Sequence, residues 1–410
     1  MSGAAAGLGS RASAQEAELR VDIVEGRDAF VQLEKAWNDA LGKGPRDEPM
    51  LRHEWVRAFI ENFAPGAALR TFVARAGKEI AAAVPLIETQ ERSGDTCFLP
   101  MTTWSIPVND HSQRGGVLLG RRWQEGLDLI WQALQGQRWD RLRLRDLPEG
   151  AGEWELRQKA EAAGMPCGLW VSLRSPYLRL PEASGQKPEE KKPKQKQKVE
   201  KLPTADLRFE QVEAALDGKF RQNLRRRRRR LAEQGEVKYV LLDGKDAKAL
   251  DEGLADFFTI EASGWKGEGG TAIAQRPELV GFYTQIARDA ARRGALALGF
   301  LELGGKRIAA HLSLIQAGRH FLLKLGYDES LHEFSPGQQL VSEAIRDACA
   351  RGLVEFDFLG PCMEWKLDWE SKLRTHTWLT IFRATPRGKL VHEARFTLWP
   401  IAKKLFKKES

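Results

Sequence analysis

The chain contains an echo of itself, and that echo limits what it can fold into. Gly77-Lys-Glu-Ile-Ala-Ala-Ala-Val-Pro-Leu-Ile87 and Gly305-Lys-Arg-Ile-Ala-Ala-His-Leu-Ser-Leu-Ile315 agree at seven of eleven positions. Each starts at a Gly-Lys turn and continues as an apolar strand, so each is the second arm of a hairpin. Around both copies the pattern of apolar residues gives one order: helices before the hairpin, then helix, strand, short helix and strand. That order runs from Trp123 to Tyr177 in one half and from Ser335 to Arg383 in the other. A Gly-Lys turn before an apolar run arises easily by chance, whereas a shared order of elements does not. At 410 residues the chain also exceeds one ordinary core. The expectation is α/β (α+β): two tandem units, each a mixed, mostly antiparallel sheet flanked by helices.

The expected boundaries are a flexible tail over 1–17, a first unit over 18–183, a linker over 184–204, a second unit over 205–393 and a basic amphipathic tail over 394–410. Within the first unit Ala29–Leu41 reads as one helix and Glu88–Gly120 as mostly loop. Past the linker Leu207–Val212 reads as a strand and Phe220–Gln234 as a helix. Gly185–Thr204 is Lys, Gln, Pro and Glu with almost nothing apolar, too little to offset the entropy of ordering it.

Charge narrows the function classes. The net charge is +8, but the linker and the seven arginines Arg221 and Arg225–Arg230 carry more than all of it, leaving the remainder slightly acidic. The basic character is therefore a local device. No apolar run approaches the roughly 20 residues of a membrane span. Met1–Gln15 lacks the hydrophobic block of a signal peptide. Cys97, Cys167, Cys349 and Cys362 are scattered and read as reduced thiols, and none of the seven histidines has metal-ligand spacing. These features point to a cytoplasmic protein, peripheral at most to the inner membrane surface, with no metal.

The second half holds the most informative run, His332-Glu-Phe-Ser-Pro-Gly-Gln-Gln-Leu340. Ser335 offers an N-cap hydroxyl, Pro336 suits the first helical position, and Gln338 completes a capping box. The helix behind it carries Leu340, Val341, Ala344, Ile345 and Ala348 on one stripe and stops at Gly352. A strand feeding such a start places unpaired N–H groups where an anion can sit, and Gly337 lets a phosphorylated ligand approach the backbone. The same residues are also simply a good helix start. The first half has no such start at its equivalent helix, so a phosphate site belongs to the second.

Candidate chemistry collects around that run. Glu261 continues the stripe Leu250, Leu254, Phe257, where a carboxylate facing apolar surface should have a raised pKa and serve as a base. A frayed helix end would instead leave it in water. Asp357 lies inside an apolar strand, as a second base or as the partner of Lys366 or Lys324. Lys324 and Lys366 could hold an anionic donor or acceptor, or reach solvent from strand ends. Trp265 and Lys266, after Gly264, could wall a substrate cleft, and Trp265 could equally fill a core. His311, mid-strand, reads as a core histidine. The arginines, Arg225 and Arg228 among them, surround their helix, so only part of them can meet one anionic partner. Few aromatics interleave with them, as base stacking would need. No Gly-x-Ser-x-Gly elbow or Cys/His signature suggests a covalent intermediate.

These residues resemble a family. Phe220-Arg-Gln-Asn-Leu-Arg-Arg-Arg-Arg-Arg-Arg-Leu231, Glu261-Ala-Ser-Gly-Trp-Lys266, Lys324-Leu-Gly-Tyr-Asp328, Ser335-Pro-Gly337 and Asp357-Phe-Leu-Gly360 look like the GNAT acyltransferases of the CelD/BcsL type. Their two-domain plan is similar to that of the FemABX peptidyltransferases. The resemblance spans most of Val21–Arg383, although the usual phosphate loop of GNAT enzymes, Arg/Gln-x-x-Gly-x-Gly/Ala, is absent in that form. It implies two GNAT-like domains, the first degenerate, and acetyl-CoA or another acyl-CoA as donor. It also implies a splayed strand pair near His311–Ile315 and His320–Leu325. Leu314, Lys324, Ser335, Gly337 and Gln338 would then hold the donor, and Tyr327 would return a proton to the leaving thiolate.

The expected activity is acyl transfer to an amine or hydroxyl of an envelope polysaccharide or similar sugar-type acceptor. FemABX-like aminoacyl transfer from tRNA, or a non-catalytic adaptor for nucleic acid or an anionic membrane surface, are the alternatives. The tail from Ala394, with Phe396, Leu398 and Trp399 among lysines, fits headgroups or its own domain.

Overall fold

A computed structural model describes residues 17–182, 204–263 and 272–399. The strands are β1 (Arg20–Glu25), β2 (Ala68–Ala76), β3 (Glu79–Glu91), β4 (Met101–Ser105), β5 (Leu118–Leu119), β6 (Arg141–Pro148) and β7 (Cys167–Arg179). The second half adds β8 (Val237–Leu242), β9 (Leu296–Leu303), β10 (Lys306–Gln316), β11 (Arg319–Tyr327), β12 (Glu355–Asp357) and β13 (Lys372–Phe382). They form one sheet ordered β1-β2-β3-β4-β6-β13-β7-β12-β11-β10-β9-β8, with β5 alongside β3. Two pairs are parallel, β4 with β6 and β11 with β12, and the other pairs are antiparallel.

The order is symmetric about the β13–β7 pair. Five strands of each half lie on their own side, and each half sends its last strand across to the other. Thus β13 pairs with β6, and β7 pairs with β12. A strand edge left open invites unwanted pairing, and here each half covers the edge of the other. The two repeated hairpins, β2–β3 and β9–β10, occupy matching places on the two sides. The tandem mixed fold read from the repeat is therefore the fold observed.

The core is also shared. Helices His53–Phe63 and Pro277–Arg292 pack together, with Trp55 edge-on to Phe282 at 5.4 Å between ring centroids. Burying an aromatic such as Phe282 is worth about 1.5–3 kcal/mol, so this contact ties the two halves together in one shared cluster.

Three local expectations change. Ala29–Leu41 is two helices, Arg27–Val31 and Glu34–Leu41, broken at Gln32 and Leu33. Leu207–Val212 is not a strand but part of helix Thr204–Ala215. Phe209, Val212 and Leu216 lie at helical spacing and bury against Val341 and Ile345. A short apolar run is ambiguous until a partner face selects its period. The loop-rich Glu88–Gly120 contains β4 and β5. The expected tail 1–16, most of the linker and residues 400–410 lie outside the described residues.

Candidate active site

The site forms where the parallel pair comes apart. β11 and β12 match at Arg319↔Glu355, His320↔Phe356 and Phe321↔Asp357, and no further. β12 stops because Leu359 (φ 51) and Gly360 (φ 59) turn into the left-handed region. The Asp357 carboxylate locks that turn by accepting the Leu359 N–H at 2.9 Å. β11 continues to Tyr327 on β10 alone, with a bulge where Leu312 faces Lys324 but Ser313 faces Leu322. Between them opens a cleft of about 630 Å3, walled by Leu322–Tyr327 on one side and by Phe358–Pro361, Trp365 and Lys366 on the other.

The splay is therefore not between His311–Ile315 and His320–Leu325. Those strands are a hairpin through Ala317-Gly318, and their ladder closes along its length. Leu314 is paired on both sides, 2% exposed and packed in the core, so it does not line the cleft as expected. The crossover connection between β11 and β12, unlike a tight hairpin, leaves the two neighbouring strands free to diverge.

One end of the cleft meets the start of helix Pro336–Ala350. The capping box expected there does not form. Ser335 is left-handed (φ 49, ψ 56), and its hydroxyl accepts from Arg227 Nη1 at 2.5 Å. Gln338 Oε1 accepts from Trp369 Nε1 at 2.7 Å, and its Nε2 donates to Trp365 O at 3.2 Å. The helix start thus has no side-chain cap, which suits it to an anion. Gly337 lies flush with the wall; a Cβ there would sit 3.0 Å from Tyr327 Cδ1. A second cavity of about 280 Å3 adjoins the cleft at Ser335 and Gln338 and adds Lys219, Asn223 and Arg227.

Glu261 ends helix Ala247–Glu261 on the stripe predicted for it. It is 3% exposed, lines the cleft, and accepts the Ile273 N–H at 2.9 Å. It is therefore not a frayed, solvated end. Gly326 permits this approach, since a Cβ there would come within 2.7 Å of Glu261 Cα. Tyr327, Lys324 and Lys366 also line the cleft, and Lys324 Nζ lies 5.7 Å from the Tyr283 ring. Lys366 is 6% exposed, donates to Leu359 O at 2.5 Å and Pro361 O at 3.1 Å, and burial pushes it down to about 8.

Asp357 is corrected as a base. Its carboxylate accepts from Arg114 Nη2 at 2.6 Å and Arg374 Nη1 at 2.9 Å besides Leu359 N–H, so both of its oxygens are engaged away from the cleft lining. Its partners are these arginines; neither Lys324 nor Lys366 is hydrogen-bonded to it. Arg225 and Arg228, expected to bind substrate, lie outside this cleft. They pair with Glu213 and Glu343 at 2.9 and 2.6 Å and line a separate cavity. Arg230 pairs with Glu333, and Arg226 and Arg229 point outward. Trp265 and Lys266 lie outside the described residues.

Reasoning from sequence missed Arg227, Gln113 and Arg114. Arg227 was hidden inside a run of identical residues, where no spacing distinguishes one from the next. Gln113 and Arg114 come from a loop of the first half, where no periodicity marks them. Among the described residues no three His, Cys, Asp or Glu side chains gather to hold a metal. No described helix is long and apolar enough to cross a membrane.

A parallel pair opening beside an uncapped helix start, in a mostly antiparallel sheet, defines a GNAT-type acyltransferase fold, here in tandem. In agreement, residues 218–367 match the family model described as "Acetyltransferase (GNAT) domain". Among solved structures the chain is similar to FemX, at 12% identity and a TM-score of 0.57 over 88% of this chain and 98% of that one. The C-terminal domain of a putative lysylphosphatidylglycerol synthetase from Agrobacterium fabrum is similar at 11% and 0.51, over 89% of this chain and 96% of that one. A conserved protein of unknown function from Bacteroides thetaiotaomicron gives 11% and 0.51, over 88% and 100%. These likenesses establish a shared fold along most of each chain. No curated protein matches the chain.

Proposed function

We propose that the protein is an acyltransferase of the CelD/BcsL type, moving an acetyl or other acyl group from coenzyme A to an amine or hydroxyl of an envelope polysaccharide or similar acceptor. The observation that carries this reading is the cleft between β11 and β12 ending on the uncapped helix start at Gly337. The acyl-bearing arm lies in the apolar cleft. The diphosphate meets the helix N–H groups with Arg227 and Lys219 beside it. Glu261 takes the proton of the attacking amine or hydroxyl, the nucleophile adds to the thioester carbonyl, and the tetrahedral adduct expels the thiolate. Tyr327 gives that thiolate its proton, and Lys366 holds an anionic group of the acceptor. The first unit is degenerate as an enzyme, and the whole works in the cytoplasm, at the inner face of the membrane when its acceptor is there.

Calorimetry with coenzyme A and acetyl-CoA tests the reading. Binding is expected, and none at about millimolar ligand removes it. A second reading, aminoacyl transfer from tRNA, rests on Arg226 and Arg229, which are exposed. It requires RNA binding that weakens with salt and falls when these two are neutralised. Against it, Arg225, Arg228 and Arg230, although exposed, each form an ion pair with a glutamate of the fold.

A further inference from the structure

In the first half the pair equivalent to β11–β12 stays shut. After Ser105 the chain remains on β6, Ile106 N donating to Arg143 O at 3.2 Å and Gly115 N to Asp146 O at 3.0 Å. The loop between these two bonds leaves its own unit and enters the cleft of the other. Gln113, left-handed at φ 63, lines that cleft so closely that a Cβ on Gly360 would lie 3.1 Å from its Oε1.

The next residue, Arg114, is 1% exposed and spends its guanidinium on three groups. Nη2 donates to Asp357 Oδ2 at 2.6 Å, Nη1 to Glu48 Oε1 at 3.0 Å, and Nε to His376 Nε2 at 3.2 Å. Asp357 in turn holds Leu359 N–H, and the turn so fixed presents Leu359 O and Pro361 O to Lys366. A chain of bonds thus runs from a loop of the first half to an ammonium at the cleft wall of the second.

We propose that Arg114 is a positioning residue: through Asp357 it sets the Leu359–Pro361 turn that aims Lys366 into the cleft, so the first half builds the reactive wall of the second. This rests on reading the cleft as the acyl-transfer site. A fork anchored in a buried ion pair defines direction as well as distance, which a lysine in its place cannot do. Lys366 is sensitive to that geometry because it is buried, with Asp357 on β12, Cys362 in the turn and Lys324 on β11 as its charged or titratable neighbours. Freed from the turn, its ammonium would reach water.

The test titrates Lys366 in the full-length protein by competitive amine labelling and mass spectrometry. The parent should show a midpoint of about 8. In Arg114→Lys the midpoint should rise by about one unit or more toward the ordinary lysine value, beyond any fall in melting temperature. A folded Arg114→Lys with the parental midpoint overturns the proposal, because a merely structural arginine would lower stability and leave Lys366 alone. Should that variant not fold, Asp357→Glu keeps the charge and its arginines but displaces the Leu359 N–H bond. Its midpoint should also rise, and an unchanged one is equally fatal. Coenzyme A titration of the parent separates the two readings. No binding with a mobile Lys366 midpoint ends the donor assignment alone, while binding with a fixed midpoint ends the positioning role alone.

Discussion

Lowering the pH from about 7 to about 5 should destabilise this chain by roughly 4 kcal/mol through two buried histidines alone. His311 and His376 are both 0% exposed. Burial pushes each from 6.5 down to about 3, and Arg114 adds to the effect on His376 by donating to the ring nitrogen a proton would need. Between those values the unfolded chain takes up protons that the folded chain refuses. Stability is therefore unaffected above the unfolded value and falls as pH drops through 6.5 toward 3. At about pH 5 each histidine is about 1.5 units inside that window, or about 2 kcal/mol apiece. His320 is also fully buried and pushed well below its ordinary value, so it adds in the same direction. The buried carboxylate Glu48 does not confuse the measurement. Burial opposes its charge, but Arg114, Arg46 and Arg319 outweigh that and hold it far below the carboxylate range, so its contribution to stability is lost chiefly as pH falls below the unfolded value of 4.5, under the window measured. Urea unfolding followed by tryptophan fluorescence at the two pH values reads the difference. His376→Gln keeps an acceptor for Arg114 and removes one titration, so its pH-dependent loss should be smaller by about 2 kcal/mol. Equal stability at both pH values, or a variant that loses as much as the parent, refutes the reasoning.

Gly337→Glu should abolish coenzyme A binding, because it drives bulk against Tyr327 and negative charge into the helix start; normal calorimetric affinity would place the cradle elsewhere. Glu261→Gln should slow turnover by about 10²–10⁴-fold with donor affinity unchanged, a split visible in kcat against the dissociation constant. Gly326→Ala, which presses on the main chain of Glu261, should cost about 1–3 kcal/mol of stability and slow turnover as well, as thermal melts and rates would show. Arg227→Ala should weaken coenzyme A binding about tenfold, while Arg226→Ala should leave it unchanged in the same titration.

What could be read directly was local. Glu261 was found because its stripe with Leu250, Leu254 and Phe257 is a property of one helix, and the helix start at Pro336 because proline and glycine restrict their own backbone. The repeat announced the tandem plan because matching runs of the same length make matching hairpins. The cap at Ser335 shows the limit of such reading. The motif favoured a bond within the helix, but Arg227, more than one hundred places earlier, reached the hydroxyl first.

Asp357 makes the same point more sharply. Its apolar strand marked it as a buried carboxylate needing a partner, and that much followed from the cost of burying charge. Which cation answered depended on a loop from the other half, since Arg114 lies 243 positions away. The splay at β11–β12 and the exchange of β7 with β13 were equally invisible. By itself the sequence determined the periods, the turns and the repeated unit, all consequences of residues within a few positions of one another. Tertiary structure alone decided which strands part, which charges meet and which half walls the cleft, because those depend on contacts between distant segments that no local preference encodes.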